Sequence, residues 1–412
     1  MLDARGRALV PIERFRQAAE EHAWILVSSY NTRSDTSDDP NTPALQAMWK
    51  DTHERLAIDD RRVSLAGFSG GARASVALAG YTPLRIAGVI GCGAGWPDDT
   101  APIPQSPSFA YFGAVGNRDF NYYEMRELDE KLARVGARYR IEIFDGAHDW
   151  LTADAARDAL AWLELEAMRS GARHRDAAGI AALLAQDLAR ARAVDAEGRA
   201  ADALARYGWI ARDFRGLTDT GEAEAKASEL GGSVQVRKAL KEGRRRDTRD
   251  RATLRDLSRK LSRAFSATEL PLAGLVAADL GIPALRQKAA SADTAEERLS
   301  AERLLANLRV QTSFYVPEKF LAKNDAPRAL LALSIAAEID PDDPYVYYNL
   351  ACAAARTGQI PRTLKELDRA IAKGFRRLEL IDTDPDFASV RSDPAFRRWL
   401  AGAPARIPPA RP

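Results

Sequence analysis

The sequence predicts an α/β domain built on a parallel sheet, followed by an all-α half. Three observations lead to this prediction. Residues 1–170 alternate segments of strand and helix pattern, which is typical of a parallel sheet covered by helices on both faces. From about residue 171 the strand pattern stops. Near the C-terminus a segment repeats itself after 34 residues, the period of a helix–turn–helix unit.

In the first part of the chain, apolar runs that end in glycine predict strands, and apolar residues at helical spacing predict helices. The predicted strands cover residues 24–29, 62–68, 86–95, 108–116 and 139–146. The predicted helices cover residues 11–22, 43–57, 72–80, 124–135 and 153–168. These elements place an α/β domain at residues 1–172.

The remainder of the chain is expected to be helical. A helical region is expected at residues 173–305, because residues 176–265 are rich in Ala, Arg, Asp and Leu at helical spacing. Residues 306–400 contain the internal repeat, which a cap helix at 392–400 would close. The proline-rich residues 401–412 are expected to form a disordered tail.

Charge and composition exclude several classes of function. Sixty Lys and Arg face 58 Asp and Glu, so neither a nucleic-acid binder nor a membrane-surface binder is expected. Residues 237–263 hold 12 basic and 4 acidic side chains, and a solvated helix face is favoured there over a phosphate-binding patch because no aromatic residue is interleaved. No run of 18 apolar residues predicts a membrane span. Cys92 and Cys352 lie far apart without metal-ligand spacing, so neither a disulfide framework nor a zinc site is expected.

One motif predicts a reactive serine. The sequence Gly67-Phe68-Ser69-Gly70-Gly71 fits G-x-S-x-G, with a predicted strand entering it and a predicted helix leaving it. In that context the turn presents the Ser69 hydroxyl at the carboxyl end of the sheet, and the N–H of Gly70 can stabilise an oxyanion. An ordinary glycine-rich turn is the alternative.

A serine hydroxyl needs a base, and a base needs an orienting acid. Only His148 and His174 follow the serine, and His148 is preferred because it comes directly after a predicted strand. Asp119, three residues after the preceding strand, is the preferred acid. A structural loop histidine and a helix-capping aspartate are the alternatives for these two residues. Other acids considered for the same role are Asp98, Asp99 and Asp149.

These three loops, in this order, resemble the α/β-hydrolase fold in its esterase and serine-peptidase-like branch. The resemblance covers residues 1–170 and implies a catalytic triad of Ser69, Asp119 and His148. It implies a serine hydrolase, with an ester a better substrate candidate than a peptide, and it implies no metal or cofactor.

The resemblance also predicts a strand before the first helix, which would end near Leu2. Most of that strand is not in the sequence, so we expect either a start upstream of Met1 or a sheet re-formed around the 24–29 strand. Localisation follows this choice: cytoplasmic as the sequence stands, periplasmic or secreted with an upstream leader. The second oxyanion donor would come from the Asp3–Ala4 loop, with Ala4 named first, or from Tyr30–Asn31, with Tyr30 named first.

Four aromatic residues lie on the loops expected to surround the serine, and they either hold an acyl group or pack the loops. They are Trp96, Tyr122, Tyr123 and Trp150. The insertion after the 86–95 strand is short, so the site is expected to be open, without a large lid.

The C-terminal repeat resembles a pair of tetratricopeptide units. Segments 324–333 and 358–367 align, with Pro327 matching Pro361. Pro317 inside a predicted helix and Thr363 in place of Ala depart from the family pattern. Such units bind proteins or peptides on a concave surface. The second functional hypothesis is therefore a weak or inactive hydrolase-fold scaffold that acts through protein–protein interaction at residues 306–400.

Overall fold

A computed structural model describes residues 1–34, 36, 38–97 and 103–403. The chain divides into two compact units, Met1–Thr248 and Arg249–Pro412. The first unit contains a parallel sheet with helices, and the second is helical in its described residues. The prediction of a parallel α/β part followed by a helical part is confirmed at this level.

The sheet has four parallel strands in the order β1-β2-β3-β4. They are β1 (Ser64–Phe68), β2 (Gly88–Cys92), β3 (Ala110–Gly116) and β4 (Tyr139–Phe144). All four are almost entirely buried, which explains why their sequences are continuous apolar runs rather than alternating ones. The carboxyl ends of all four strands lie at one edge, where the following loops can meet.

Helices cover both faces of this sheet. They are α1 (Leu9–His22), α2 (Asn41–Arg55), α3 (Gly70–Tyr81), α4 (Tyr122–Arg134) and α5 (Ala153–Ser170), with a 3-10 turn at Asp60–Arg62. Alternate residues of β3 enter different cores: Phe112 packs with Phe15 and Trp162, from α1 and α5, whereas Tyr111 packs with Met125 of α4. The period-two alternation of a strand therefore builds two apolar layers around one sheet.

The strand predicted at residues 24–29 does not form, and that prediction is wrong. Leu2 occupies the edge of β1: its N–H donates to Ala66 at 2.8 Å, and its carbonyl accepts from Phe68 at 3.1 Å. The nitrogen of Met1 in turn donates to the carbonyl of Val27 at 2.7 Å. Met1 and Leu2 therefore lie between the 24–29 segment and β1, and this segment has an apolar strand pattern but is not part of the sheet. A cavity of about 350 Å³ lies between this segment and β1.

Three further helices lie wholly within the first unit, α6 (Ala177–Ala196), α7 (Ala200–Asp213) and α8 (Gly221–Gly232), and the helix that follows them crosses the boundary between the units. Buried ion pairs tie α6 and α7 to β4. Arg140 of β4 lies 2.7 Å from Asp213 and 2.9 Å from Asp187, and Arg206 lies 2.8 Å from Glu142 of β4. These pairs explain how the buried strand β4 can contain two charged residues, Arg140 and Glu142.

Helix α9 (Val234–Ser266) contains the predicted basic segment 237–263. The second unit continues with α10 (Ala273–Asp279), α11 (Ile282–Ser291), α12 (Ala295–Val310), α13 (Val316–Leu321), α14 (Ala326–Ile339), α15 (Pro344–Arg356), α16 (Ile360–Lys373), α17 (Leu378–Thr383) and α18 (Pro394–Gly402). A π-helical turn at Gln311–Tyr315 and a 3-10 turn at Pro385–Phe387 interrupt this series. No described helix combines the length and the apolar character that a bilayer crossing requires.

The internal repeat corresponds to two similar helices. Pro327 and Pro361 stand in the first turns of α14 and α16, where proline's missing N–H has no acceptor to lose. Leu333 and Leu367, also at an offset of 34, are both buried. Pro317 lies inside a helical run that continues from α12 through the π-helical turn at Gln311–Tyr315 into α13, so it departs from the repeat pattern as predicted. The predicted cap helix corresponds to α18, which extends two residues into the predicted tail; residues 404–412 lie outside the described residues.

Candidate active site

Ser69 stands in the turn between β1 and α3 with φ 56° and ψ −124°. Few non-glycine residues adopt a positive φ, so this backbone is strained. The turn is also crowded: a Cβ atom added at Gly67 would lie 2.0 Å from the carbonyl oxygen of Gly71. Glycines are therefore required on both sides of a serine that is held in one orientation at the carboxyl end of the sheet.

His148 contacts the serine from the loop after β4. Its Nε2 lies 3.0 Å from the Oγ of Ser69, and its Nδ1 lies 2.9 Å from both carboxylate oxygens of Asp119. An ionised carboxylate only accepts hydrogen bonds, so Nδ1 carries the proton and Nε2 presents a lone pair to the serine hydroxyl. This arrangement suits transfer of the hydroxyl proton to the imidazole.

Asp119 is fully buried in the loop after β3. The N–H of Asn121 donates to its carboxylate at 2.8 Å, and its own N–H donates to Gly116 at 3.1 Å. The residue that precedes α4 as its N-cap is Asn121, whose side chain makes no capping bond. Asp119 therefore faces His148 with both oxygens, and helix capping does not account for its position.

Three residues to which the sequence analysis gave no role at the site also surround the histidine. The rings of Phe68 and Phe120 flank it, with centroids 4.7 and 4.1 Å from the imidazole. Gly93, which follows β2 with φ 65°, lies against its edge: an added Cβ would be 3.1 Å from Nδ1. The only sequence signal for Gly93 was the glycine-rich end of the predicted 86–95 strand.

The N-terminus of α3 points toward the serine. N–H groups in the first turn of a helix lack intrahelical acceptors, so those of Gly70 and Gly71 can reach a developing negative charge. The Leu2–Ala4 segment lies beside them, since a Cβ added at Gly71 would be 2.1 Å from the carbonyl oxygen of Leu2. Among the described residues, the N–H of Ala4 has no acceptor.

The two predicted sources of a second oxyanion donor differ in their surroundings. The carbonyl of Ala4 accepts from the N–H of Ser34 at 3.1 Å, and the Ser34 side chain contacts Gly70. In the other loop, the side chain of Tyr30 is 64% exposed and its carbonyl oxygen lies against Gly6. The N–H of Asn31 donates to Ser29 within its own loop at 3.0 Å. The N–H of Tyr30, like that of Ala4, has no acceptor among the described residues, so the feature that favours Ala4 is the contact of its loop with the first turn of α3.

Asp3, in the same loop as Ala4, is a buried carboxylate with several donors. It accepts from the N–H groups of Arg5 and Arg7, from the Arg7 guanidinium and from the indole of Trp150. Burial on its own would raise the pKa of Asp3, but the hydrogen bonds from Arg7, Trp150 and Arg5 lower that pKa below its ordinary value. Asp3 is therefore ionised at neutral pH.

The predicted aromatic rim is mostly buried. Tyr122, Tyr123 and Trp150 are each less than one-tenth exposed, so they pack the loops rather than line an open edge. Trp96 is half-buried and stacks on Phe109 at a centroid distance of 5.9 Å. Only Trp96 keeps enough exposed surface for the predicted contact with an acyl group.

The alternative acids and base either make other contacts, are exposed, or lie outside the described residues. Asp149 lies 3.4 Å from Arg14, and His174 is exposed. Asp98 and Asp99 lie outside the described residues. Of the candidates that the structure describes, it brings together only Ser69, His148 and Asp119.

One group of potential metal ligands occurs in the described part of the chain, and it belongs to the second unit. The ligand atoms of Cys352, Asp384 and Asp386 lie within 4.8 Å of one another. The hydroxyl of Tyr348 donates to Asp384 at 2.7 Å, and Arg356 lies 3.1 Å from Asp386. Protein partners therefore already satisfy both carboxylates.

Comparison of the chain with protein-family models, with curated proteins and with solved structures finds no match. What the chain can do chemically is therefore inferred from its own side chains and their geometry.

Proposed function

We propose that the chain is a serine hydrolase of the α/β-hydrolase type that acts on carboxylic esters, with Ser69, His148 and Asp119 as its catalytic triad. One observation carries the proposal. Three residues from three separate loops meet at the carboxyl edge of the sheet, in hydrogen-bonded order and at distances of 2.9–3.0 Å. The strained φ of Ser69 adds support, because backbone strain of this kind is concentrated at functional sites.

In the proposed reaction, the Oγ of Ser69 attacks the ester carbonyl carbon while Nε2 of His148 takes the hydroxyl proton. Asp119 stabilises the imidazolium that forms. The tetrahedral intermediate collapses with loss of the alcohol, which receives the proton from His148. A water molecule, deprotonated by the same histidine, then attacks the acyl carbon; the bond from this carbon to the Oγ of Ser69 breaks, the histidine returns the proton to Oγ, and the acid is released.

The negative charge on the carbonyl oxygen needs donors that are already in place. The N–H of Gly70 is the first, since it opens α3 directly after the nucleophile. The N–H of Ala4 is the second. It has no acceptor among the described residues, and its neighbours Leu2 and Ser34 lie against the first turn of α3. Removing one such donor reduces turnover by about 10²- to 10³-fold in well-studied hydrolases.

The second unit supports an accompanying role in binding. The helices α14 and α16 repeat one pattern at an offset of 34, and α15 connects them. Helix pairs of this period stack into surfaces that bind peptides or proteins. We therefore propose a tetratricopeptide-like unit that recruits a protein or peptide partner.

Hydrolysis of a p-nitrophenyl ester by the full chain tests the enzymatic proposal. Ser69→Ala should abolish turnover without unfolding the protein, because the turn accommodates a methyl side chain. Ser170→Ala, at an exposed serine of α5, is the matched control and should retain full activity. Retention of more than a small fraction of activity in Ser69→Ala would contradict the proposal.

A further inference from the structure

Asp3 connects the two loops that the proposed reaction requires. We infer that Asp3 is a positioning residue, which fixes the Ala4 N–H relative to the loop that carries His148. The inference rests on the proposed hydrolase function and deepens it, because it assigns a role to a carboxylate that lies outside the triad.

The carboxylate is shared between a local loop and a distant one. Its Oδ1 accepts from the N–H groups of Arg5 at 2.8 Å and Arg7 at 3.0 Å, which closes the loop around Ala4. Its Oδ2 accepts from the Arg7 guanidinium at 3.0 Å and from Nε1 of Trp150 at 2.7 Å. Trp150 comes two residues after His148, so one side chain joins the donor loop to the base loop.

Both ends of this connection are immobilised by packing. Asp3 has no exposed surface, and Trp150 is 1% exposed. The Trp150 ring contacts Phe15 and Phe68, with centroid distances of 6.3 and 5.9 Å. A buried polar network in which each member has partners holds its geometry better than an exposed one.

The backbone next to Asp3 is fixed as well. Its carbonyl accepts from the hydroxyl of Thr32 at 2.9 Å, and the carbonyl of Ala4 accepts from Ser34 at 3.1 Å. Leu2, on the other side, pairs with β1. The peptide N–H of Ala4 therefore has a set direction, which Asp3 maintains relative to His148.

An oxyanion donor contributes only when it points at the oxygen in the transition state. Loosening Asp3 should therefore lower kcat and leave KM nearly unchanged. Asp3→Asn removes the charge that holds Arg7. Trp150→Phe keeps an aromatic ring but removes the Nε1 donor. We expect either change to lower kcat by roughly 10- to 100-fold. This effect does not exceed the loss of turnover that follows complete removal of one oxyanion donor.

The test measures kcat and KM with a p-nitrophenyl ester, the rate of fluorophosphonate labelling and the pH midpoint of turnover, all on the full chain. Trp24→Phe is the matched control, since it removes an indole hydrogen bond to Glu164 away from the serine. Asp3→Asn and Trp150→Phe should lower kcat and slow labelling with KM within about twofold and an unchanged pH midpoint. The kcat of the double variant should be no lower than that of the less active single variant, because both substitutions act through one contact.

Several outcomes would overturn the inference. One such outcome is a kcat, counted per labelled serine, that equals the wild-type value in both single variants. Another is a loss of kcat that follows the loss of thermal stability to the same extent in Asp3→Asn, Trp150→Phe and the control Trp24→Phe. If Asp3→Asn does not fold, Trp150→Phe decides alone. Absence of labelling in the wild type would overturn the hydrolase proposal together with the inference, whereas normal labelling in both wild type and variants would overturn the inference only.

Discussion

The backbone of Gly93 lies directly against the imidazole of His148. A Cβ atom at residue 93 would be 3.1 Å from Nδ1 and Cε1 of the ring and 3.1 Å from Oδ2 of Asp119. The φ of +65° at this position adds backbone strain for any larger residue. The end of β2 thus leaves only enough room for the histidine–aspartate pair.

Gly93→Ala should therefore displace the His148 ring and lower kcat by about tenfold or more, since misplacement of a catalytic group by 1 Å costs about 10²-fold. Ester hydrolysis and thermal unfolding measure the effect. Gly80→Ala in α3, where an added Cβ meets nothing within 4 Å, is the control and should leave kcat unchanged. Equal activity in both variants would mean that the ring does not need its present position.

The triad should behave as a unit. Ser69→Ala, His148→Ala and the double variant should each lower kcat/KM by a similar factor, about 10⁴-fold or more, because the histidine has no role without the serine. Steady-state kinetics on a p-nitrophenyl ester distinguish this from additive losses. If the two single losses multiply in the double variant, His148 does not act through Ser69.

The ion pairs that tie β4 to α7 should matter for stability. Arg140→Met leaves Asp213 buried with fewer partners, and breaking a buried pair costs about 3–5 kcal/mol. Arg199→Met breaks ion pairs whose members are more than half exposed, so it should cost less than about 1 kcal/mol. Urea titrations of both variants compare the free energies of unfolding; equal losses would contradict the packing of α7 on β4.

One buried carboxyl should make stability depend on pH. Burial raises the pKa of Asp158 from 3.8 to about 7, and the Glu142 charge adds to this shift against the opposing charges of Arg190 and Arg206. Between these two pH values the folded chain retains a proton that the unfolded chain has released. The contribution to the free energy of unfolding therefore falls as pH rises from about 4 to 7.

Asp158→Asn removes this titration, so the free energy of unfolding should fall less steeply with pH in the variant than in the wild type. Urea titrations at several pH values between 4 and 8 measure both slopes. Parallel slopes would show that Asp158 is ionised in the folded protein throughout this range.

The part of the site that could be predicted from the sequence depends on strand ends. The carboxyl ends of parallel strands share one edge, so residues directly after them meet whatever the rest of the fold is. Ser69, Asp119 and His148 all satisfy this condition, and their predicted positions agree with the geometry. Gly93 also follows a strand, but a glycine gives no chemical signal that separates a close approach from an ordinary turn.

The remainder depends on tertiary partners that a local pattern does not contain. Residues 24–29 have a strand pattern, yet a strand forms only where a neighbouring strand supplies a ladder of hydrogen bonds. The bond from Met1 to Val27 is not such a ladder. Trp150 was predicted to lie at the rim because its loop is at the rim. Its indole instead turns inward to Asp3, 147 residues earlier in the chain.

Labelling of the full chain with a fluorophosphonate, read by intact mass, tests the proposed nucleophile most directly. One adduct per chain is expected in the wild type, and none in Ser69→Ala. Ser170→Ala, the matched control, should be labelled like the wild type. Folded wild-type protein without an adduct, or an adduct that persists in Ser69→Ala, would contradict the assignment of Ser69 as the nucleophile.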